Sequence, residues 1–138
     1  MKRTVWCFLL ILVTAVSLWA DDLDQLQGKW SVKKNRERGS FTQQIEFKKN
    51  KWTFKLIGSD GILILIASGD VEMKKQGPFN SARFFNIKAG RAENDMEAVE
   101  DERNSLYILD AGTFYLASNF DRARDNEKPT VDAYTKSN

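Results

Sequence analysis

Two stretches of strict alternation stand out along the chain. Phe41-x-Gln43-x-Ile45-x-Phe47 and Trp52-x-Phe54-x-Leu56 each place large side chains at every second position, and Lys49-Asn50 between them supplies a tight turn. Successive side chains of a strand point to opposite faces, so this period of two marks a hairpin with one apolar face. A second hairpin is predicted from Leu106-Tyr107-Ile108-Leu109, the turn Asp110-Ala111-Gly112, and Thr113-Phe114-Tyr115-Leu116-Ala117. Ile62 to Ala67 is apolar without alternation and is expected to be covered on both faces or to lie deep in a closed sheet. Val71-x-Met73, Arg83-Phe84-Phe85-Asn86-Ile87 and a last strand from Thr130 to Thr135 complete the set. Only Asp22 to Gln27 reads as helix, one short turn with Leu23 and Leu26 on the same side. Residues 89–104 are polar and acidic and fit an irregular loop, a short helix, or a strand around Glu97 to Asp101.

Strands recurring roughly every 8 to 12 residues, with turn signals between them, define an all-β chain. The architecture expected is a small antiparallel β-barrel of about eight strands, with a helical turn before the first. Alternation places Trp30, Val32, Phe41, Ile45, Phe47, Trp52, Phe54, Leu56, Phe85, Ile87, Ile108 and Phe114 inward. Two outcomes remain open for that inward set: a calyx that takes a small apolar or amphipathic ligand, or side chains that simply fill the barrel. Strands of roughly seven residues, at about 3.3 Å per residue and a tilt of about 40°, give a barrel only about 18 Å tall, which favours filling. If a pocket exists, its expected lining is Trp52, Phe54, Ile64, Phe85, Ile108 and Phe114.

The amino-terminal segment has a different character. Met1-Lys2-Arg3 is a short basic start, Val5 to Val13 is an unbroken apolar run, and small residues follow at Ala15 and Ala20. That order is the plan of a secretory signal peptide, and Thr14, Ser17 and Asp21-Asp22 stop the run short of a membrane span. The division is therefore residues 1–20 as signal peptide, cleaved after Ala20 or after Ser17, and residues 21–138 as one domain, secreted or periplasmic. The membrane is expected to matter only through the leader before cleavage.

Composition narrows the chemistry. The chain of 138 residues has 21 basic and 19 acidic side chains, no histidine, and one cysteine, Cys7, which lies in the leader. Lys2 and Arg3 account for the whole net charge of +2. Histidine catalysis, histidine or cysteine metal sites and disulfides are thereby excluded from the mature domain, and a neutral exported domain is a poor nucleic-acid binder. The acidic stretch lacks the D-x-[DN]-x-[DN]-G spacing of a calcium loop. Ser31-Val32-Lys33-Lys34 has S-x-x-K spacing, but on a strand an offset of three points the two side chains to opposite faces. No catalytic residue, cofactor or metal is assigned, and the expectation is a non-enzymatic protein.

Charge is segregated along the sequence. From Lys29 to Lys55 nine basic residues stand against Glu37 and Glu46, and from Glu93 to Glu102 there are six acidic ones. One reading is a basic surface, centred on Lys48, Lys49 and Lys51, that meets an envelope or extracellular protein or polymer. The other is the solvated outer face of strands, where lysine discourages edge pairing.

Gly28-Lys29-Trp30 stands at the entrance of the first strand, where lipocalins carry a G-x-W. The phrase Leu23-Asp24-Gln25-Leu26-Gln27-Gly28-Lys29-Trp30, the hairpin Tyr107-Ile108-Leu109-Asp110-Ala111-Gly112 and the step Lys128-Pro129 resemble a family of small secreted lipocalin-like bacterial domains of largely unknown function. The resemblance covers both ends of the mature chain and implies a lipocalin-like barrel whose closed end is plugged by Gly28 and Trp30. It also implies an arginine packed on Trp30, with Arg122 and Arg124 as candidates. Fold of this kind does not carry a ligand with it.

Overall fold

The computed structural model describes residues 22–76, 79–124 and 126–138. The leader assigned to residues 1–20 lies outside the described residues. Among the described residues a helix, α1 (Asp22–Leu26), precedes nine strands: β1 (Gly28–Arg36), β2 (Gly39–Lys48), β3 (Lys51–Gly58), β4 (Leu63–Gln76), β5 (Phe79–Gly90), β6 (Met96–Ala98), β7 (Arg103–Asp110), β8 (Thr113–Ser118) and β9 (Thr130–Lys136). All pairings are antiparallel and join sequence neighbours, except that β7 pairs with β5 rather than β6 and that β9 returns to β1 through Trp30↔Lys136 and Ser31↔Thr135. β6 and β7 share one side of β5, with Lys88↔Ala98 followed by Phe84↔Arg103, so the four residues 99–102 there oppose the three residues 85–87 on β5. They act as one interrupted strand, and the sheet closes as an eight-stranded, lipocalin-like barrel. Residues 89–104 thus resolve into the end of β5, a turn, β6 and an irregular link.

One end of the barrel is shut. Trp30, Phe47, Tyr107, Phe114 and Tyr134 converge there beneath Leu26 of α1, all buried. Helix α1 is tied down on three sides: Trp30 Nε1 donates to Leu26 O at 2.7 Å, Tyr107 Oη donates to Asp22 Oδ2 at 2.7 Å, and the Lys49 N–H donates to Gln27 Oε1 at 2.6 Å. Gly28, at φ +106°, turns the chain from α1 into β1, a conformation that costs other residues about 1–2 kcal/mol. The cation over the Trp30 ring is Lys136, at 5.5 Å. Arg122 and Arg124 lie instead in an ion-pair cluster with Asp101 at the other end of the barrel.

Bulges and a turn decide which residues face inward. Ser68↔Lys88 and Asp70↔Phe85 leave an extra residue on β5, where Asn86 has φ +51°. Both Phe84 and Ile87 therefore face the interior and are buried, while Phe85 lies outside under the Arg83 guanidinium, 4.6 Å from its ring centre. A second irregularity, Leu56↔Leu65 against Ile57↔Leu63, extrudes Ile64. The two-residue loop Ala111-Gly112, with both φ positive, pairs Leu109 with Phe114 and sends Ile108 outward. The expected inward positions Phe85, Ile64 and Ile108 are thus corrected. Ile62 and Ile64 are 64% and 49% exposed, so of the apolar run only Ile66 and Ala67 are buried. The strand start stands at the barrel rim, where no second layer covers it.

Gly90 is a test of this geometry. A Cβ there would lie 1.9 Å from Asp95 O, inside the turn that connects β5 to β6. Gly90→Ala is expected to destabilise the protein by about 1–3 kcal/mol, with loss of amide protection in 96–98. Urea unfolding and hydrogen exchange measure the two effects, and an unchanged midpoint would show that the turn shifts freely.

Candidate functional site

Above the plug the barrel is hollow. A cavity of about 680 Å³ opens at the end opposite α1 and reaches down to Ile45, Trp52 and Phe84. The space exists because the strands exceed the seven residues expected: β1 has 9, β2 has 10, β5 has 12 and β4 has 14. At about 3.3 Å per residue that adds height beyond the aromatic plug. The inward side chains do not fill it.

The cavity has two different walls. On β3, β4 and β5 it is apolar, formed by Phe54, Leu56, Leu65, Ala67, Ile87 and Ala89. On β1, β2, β7 and β9 polar groups enter: Lys34, Arg36, Gln43, Arg103, Ser105, Asp132 and Tyr134. Lys34 Nζ pairs with Asp132 inside the barrel, and Tyr134 Oη donates to Gln43 Oε1 at 3.0 Å. Burial, and secondarily the Asp132 charge, pushes the Tyr134 phenol far above its ordinary pKa, so it stays protonated as a donor.

Residues 119–124 and 126–128 lie at the mouth and contribute Asn119, Asn126, Glu127 and Lys128 to the lining. They are held by a cluster of charges. Arg124 donates to Asp121 Oδ1 at 2.8 Å and to Asp101 Oδ2 at 3.2 Å, Arg122 also pairs with Asp101, and Asn104 N–H donates to Asp121 Oδ2 at 3.0 Å. Burial alone would raise the Asp121 carboxyl; the Arg124 hydrogen bond, the Asn104 N–H and the Arg124 charge outweigh it and bring the pKa to about 2. Asn119 Oδ1 is buried without a hydrogen-bond partner among the described residues.

Of the residues proposed from sequence as pocket lining, Trp52 and Phe54 line the cavity. Phe114 belongs to the plug below it, and Ile64, Phe85 and Ile108 are outside, as above. Sequence reasoning missed the polar wall. Lys34, Arg36, Gln43, Asp132 and Tyr134 have the inward parity of Trp30 and Ile45, a signal that was masked by reading charge as surface. Gly28 and Trp30 stand at the closed end.

Lys48, Lys49 and Lys51 are exposed around the β2–β3 turn, also at the closed end. Lys48 Nζ is 3.2 Å from Glu46, and Lys51 pairs with Asp70, whose carboxyl it holds below the usual range together with Asn86. The acidic stretch is partnered in part: Glu93 with Lys55 at 3.1 Å, Glu102 with Arg83 at 2.6 Å, and Asp101 with the arginines of 122 and 124. Lys55 and Glu93 join the two stretches directly, and the ion pairs of Lys48 and Lys51 reduce the free positive charge around the β2–β3 turn, which weakens the case for a free basic surface.

The fold and site together define a lipocalin-like barrel with an open, two-faced cavity. Comparison with protein-family models, with curated proteins and with solved structures finds no match for this chain.

Proposed function

We propose that this protein is an exported, non-enzymatic binding module that takes a small apolar or amphipathic molecule into the barrel. One observation carries the reading: a cavity of about 680 Å³, open at one end and floored by aromatic side chains. That volume is in the usual range for small-molecule sites, and an apolar wall with a few convergent polar groups is their usual composition. Burying apolar ligand surface against Phe54, Leu56 and Leu65 supplies the driving force, at about 25 cal/mol per Å². Export follows from the leader read in residues 1–20, and the site of action is then secreted or periplasmic. An envelope or extracellular partner bound through Lys48, Lys49 and Lys51 is the alternative, and the local ion pairs of Lys48 and Lys51 tell against it.

Titration with the neutral probe N-phenyl-1-naphthylamine tests the reading. Probe fluorescence is expected to rise saturably while Trp52, on the cavity floor, is quenched. Ala89→Trp, which fills the apolar wall, is expected to weaken binding about tenfold or more. Absence of saturable binding, or binding indifferent to Ala89→Trp, would exclude the cavity as the site.

A further inference from the structure

The cavity wall carries four cations, Lys34, Arg36, Arg103 and Lys128, against two carboxylates, Glu127 and Asp132. Lys34 is paired with Asp132, and Arg103 lies 3.6 Å from Glu127 and 3.5 Å from Asp101. Arg36 and Lys128 have no carboxylate partner among the described residues; the Arg36 guanidinium rests 5.0 Å from the Phe41 ring centre. The two belong to one sector of the mouth. Continuing the Ser31↔Thr135 register places Lys34 opposite Asp132, where the ion pair forms, and Arg36 opposite Thr130, two residues from Lys128. The opposite sector is apolar, with Leu56, Leu65 and Val99.

We infer that the ligand is an anionic amphipath: an apolar body bearing a carboxylate or phosphate, held tail-inward with its acid group at the mouth between Arg36 and Lys128. This rests on the barrel-binding reading above and adds a headgroup and an orientation to it. The reverse orientation would bury an anion against Ile45, Trp52 and Phe84, where no cation of the lining stands to compensate its desolvation. At the mouth the acid meets two cations and stays partly hydrated. A guanidinium fork matches the paired oxygens of a carboxylate or phosphate, and charge-assisted hydrogen bonds are roughly twice as strong as neutral ones. The Lys34–Asp132 pair beneath is already neutralised, so it sets a polar ledge below the headgroup without competing for it.

Three probes with the same chain separate the terms: decanoate, decyl phosphate and decanol, titrated against the purified protein by Trp52 quenching and calorimetry. Either acid is expected to bind about tenfold or more tightly than the alcohol, and to lose that margin as salt is raised. The tighter acid identifies the headgroup within the class. In the double variant Arg36→Gln, Lys128→Gln the acid's affinity is expected to fall to that of decanol; both residues are exposed, so the fold does not depend on them. Equal affinity of decanol and the acids in the unmodified protein, or a preference that survives both substitutions, would overturn the headgroup assignment while leaving the cavity reading in place. Failure of all three probes to bind would remove the cavity reading and the headgroup assignment with it.

Discussion

Phe114→Ala is expected to cost about 3–5 kcal/mol of folding stability, the range for emptying a buried aromatic site. Phe114 has no exposed surface and forms the hub of the closed end: the rings of Phe47, Trp30, Tyr107 and Tyr134 lie 5.8, 5.9, 6.0 and 6.0 Å from it. These rings come from β1, β2, β7 and β9, so the side chain joins strands far apart in sequence around one point. Three of the four cannot collapse into the void without breaking a hydrogen bond: Trp30 is held by its bond to Leu26 O, Tyr107 by Asp22, and Tyr134 by Gln43. Because a domain of this kind has about 5–15 kcal/mol in total, the variant is expected to be close to the folding limit. Urea unfolding followed by Trp30 fluorescence measures it. A loss under about 1 kcal/mol would mean that the plug does not hold the barrel shut.

The second large effect is expected at Arg124. Its guanidinium is 8% exposed and binds Asp121 and Asp101, whose side chains are 13% and 10% exposed, and also the carbonyl of Glu102 at 3.3 Å. Arg124→Met keeps much of the volume but takes from Asp121 its cation, while Asp101 keeps Arg122 and Arg103; leaving one half-buried carboxylate without its charged partner is expected to cost about 1–3 kcal/mol. Part of that loss is expected to return when Asp121→Asn is added, since that carboxylate is the charge left without a cation. Amide exchange in 119–124 should accelerate at the same time, because this cluster holds the segment over the cavity mouth. Should exchange there stay slow in Arg124→Met, the segment would be held by something other than the ion pairs.

Acid provides an independent view of the same cluster. The folded-state pKa of Asp121, about 2, lies below its ordinary value of 3.8. A carboxylate with a lowered folded pKa stabilises the protein fully above its unfolded value, and that contribution is lost as pH falls from about 4 through about 2. Asp121→Asn is expected to flatten the stability profile in that window and to leave the slope between about pH 5 and 8 alone. Equilibrium unfolding at a series of pH values reads both.

The chain's alternation was enough to place most strands, because a barrel strand exposes one face to the interior and one to solvent and the sequence must record both. Phe41 to Leu56 and Leu106 to Ala117 illustrate this, and the helical turn at Leu23 and Leu26 was legible from spacing alone. Facing was not fully legible. Period two carried through Arg83–Ile87 points Phe85 inward, yet an unpaired residue at Asn86 resets the phase, and no local signal marks that bulge. Ile108 failed for a related reason: the Ala111-Gly112 turn shifts the pairing by one residue, and one residue reverses every side chain.

What the sequence by itself determined is an all-β chain with a run of inward aromatic and aliphatic side chains and no histidine or cysteine chemistry after residue 20. Tertiary structure alone decided that the interior is hollow, since a cavity depends on how far staggered strands extend past the plug, which alternation does not measure. It also decided where the charges go. Lys34 and Asp132, 98 positions apart, become partners inside the barrel, while Arg36 at the mouth has no carboxylate partner among the described residues. Pairing between distant strands is a property of closure, and only the closed sheet shows which cations meet which carboxylates.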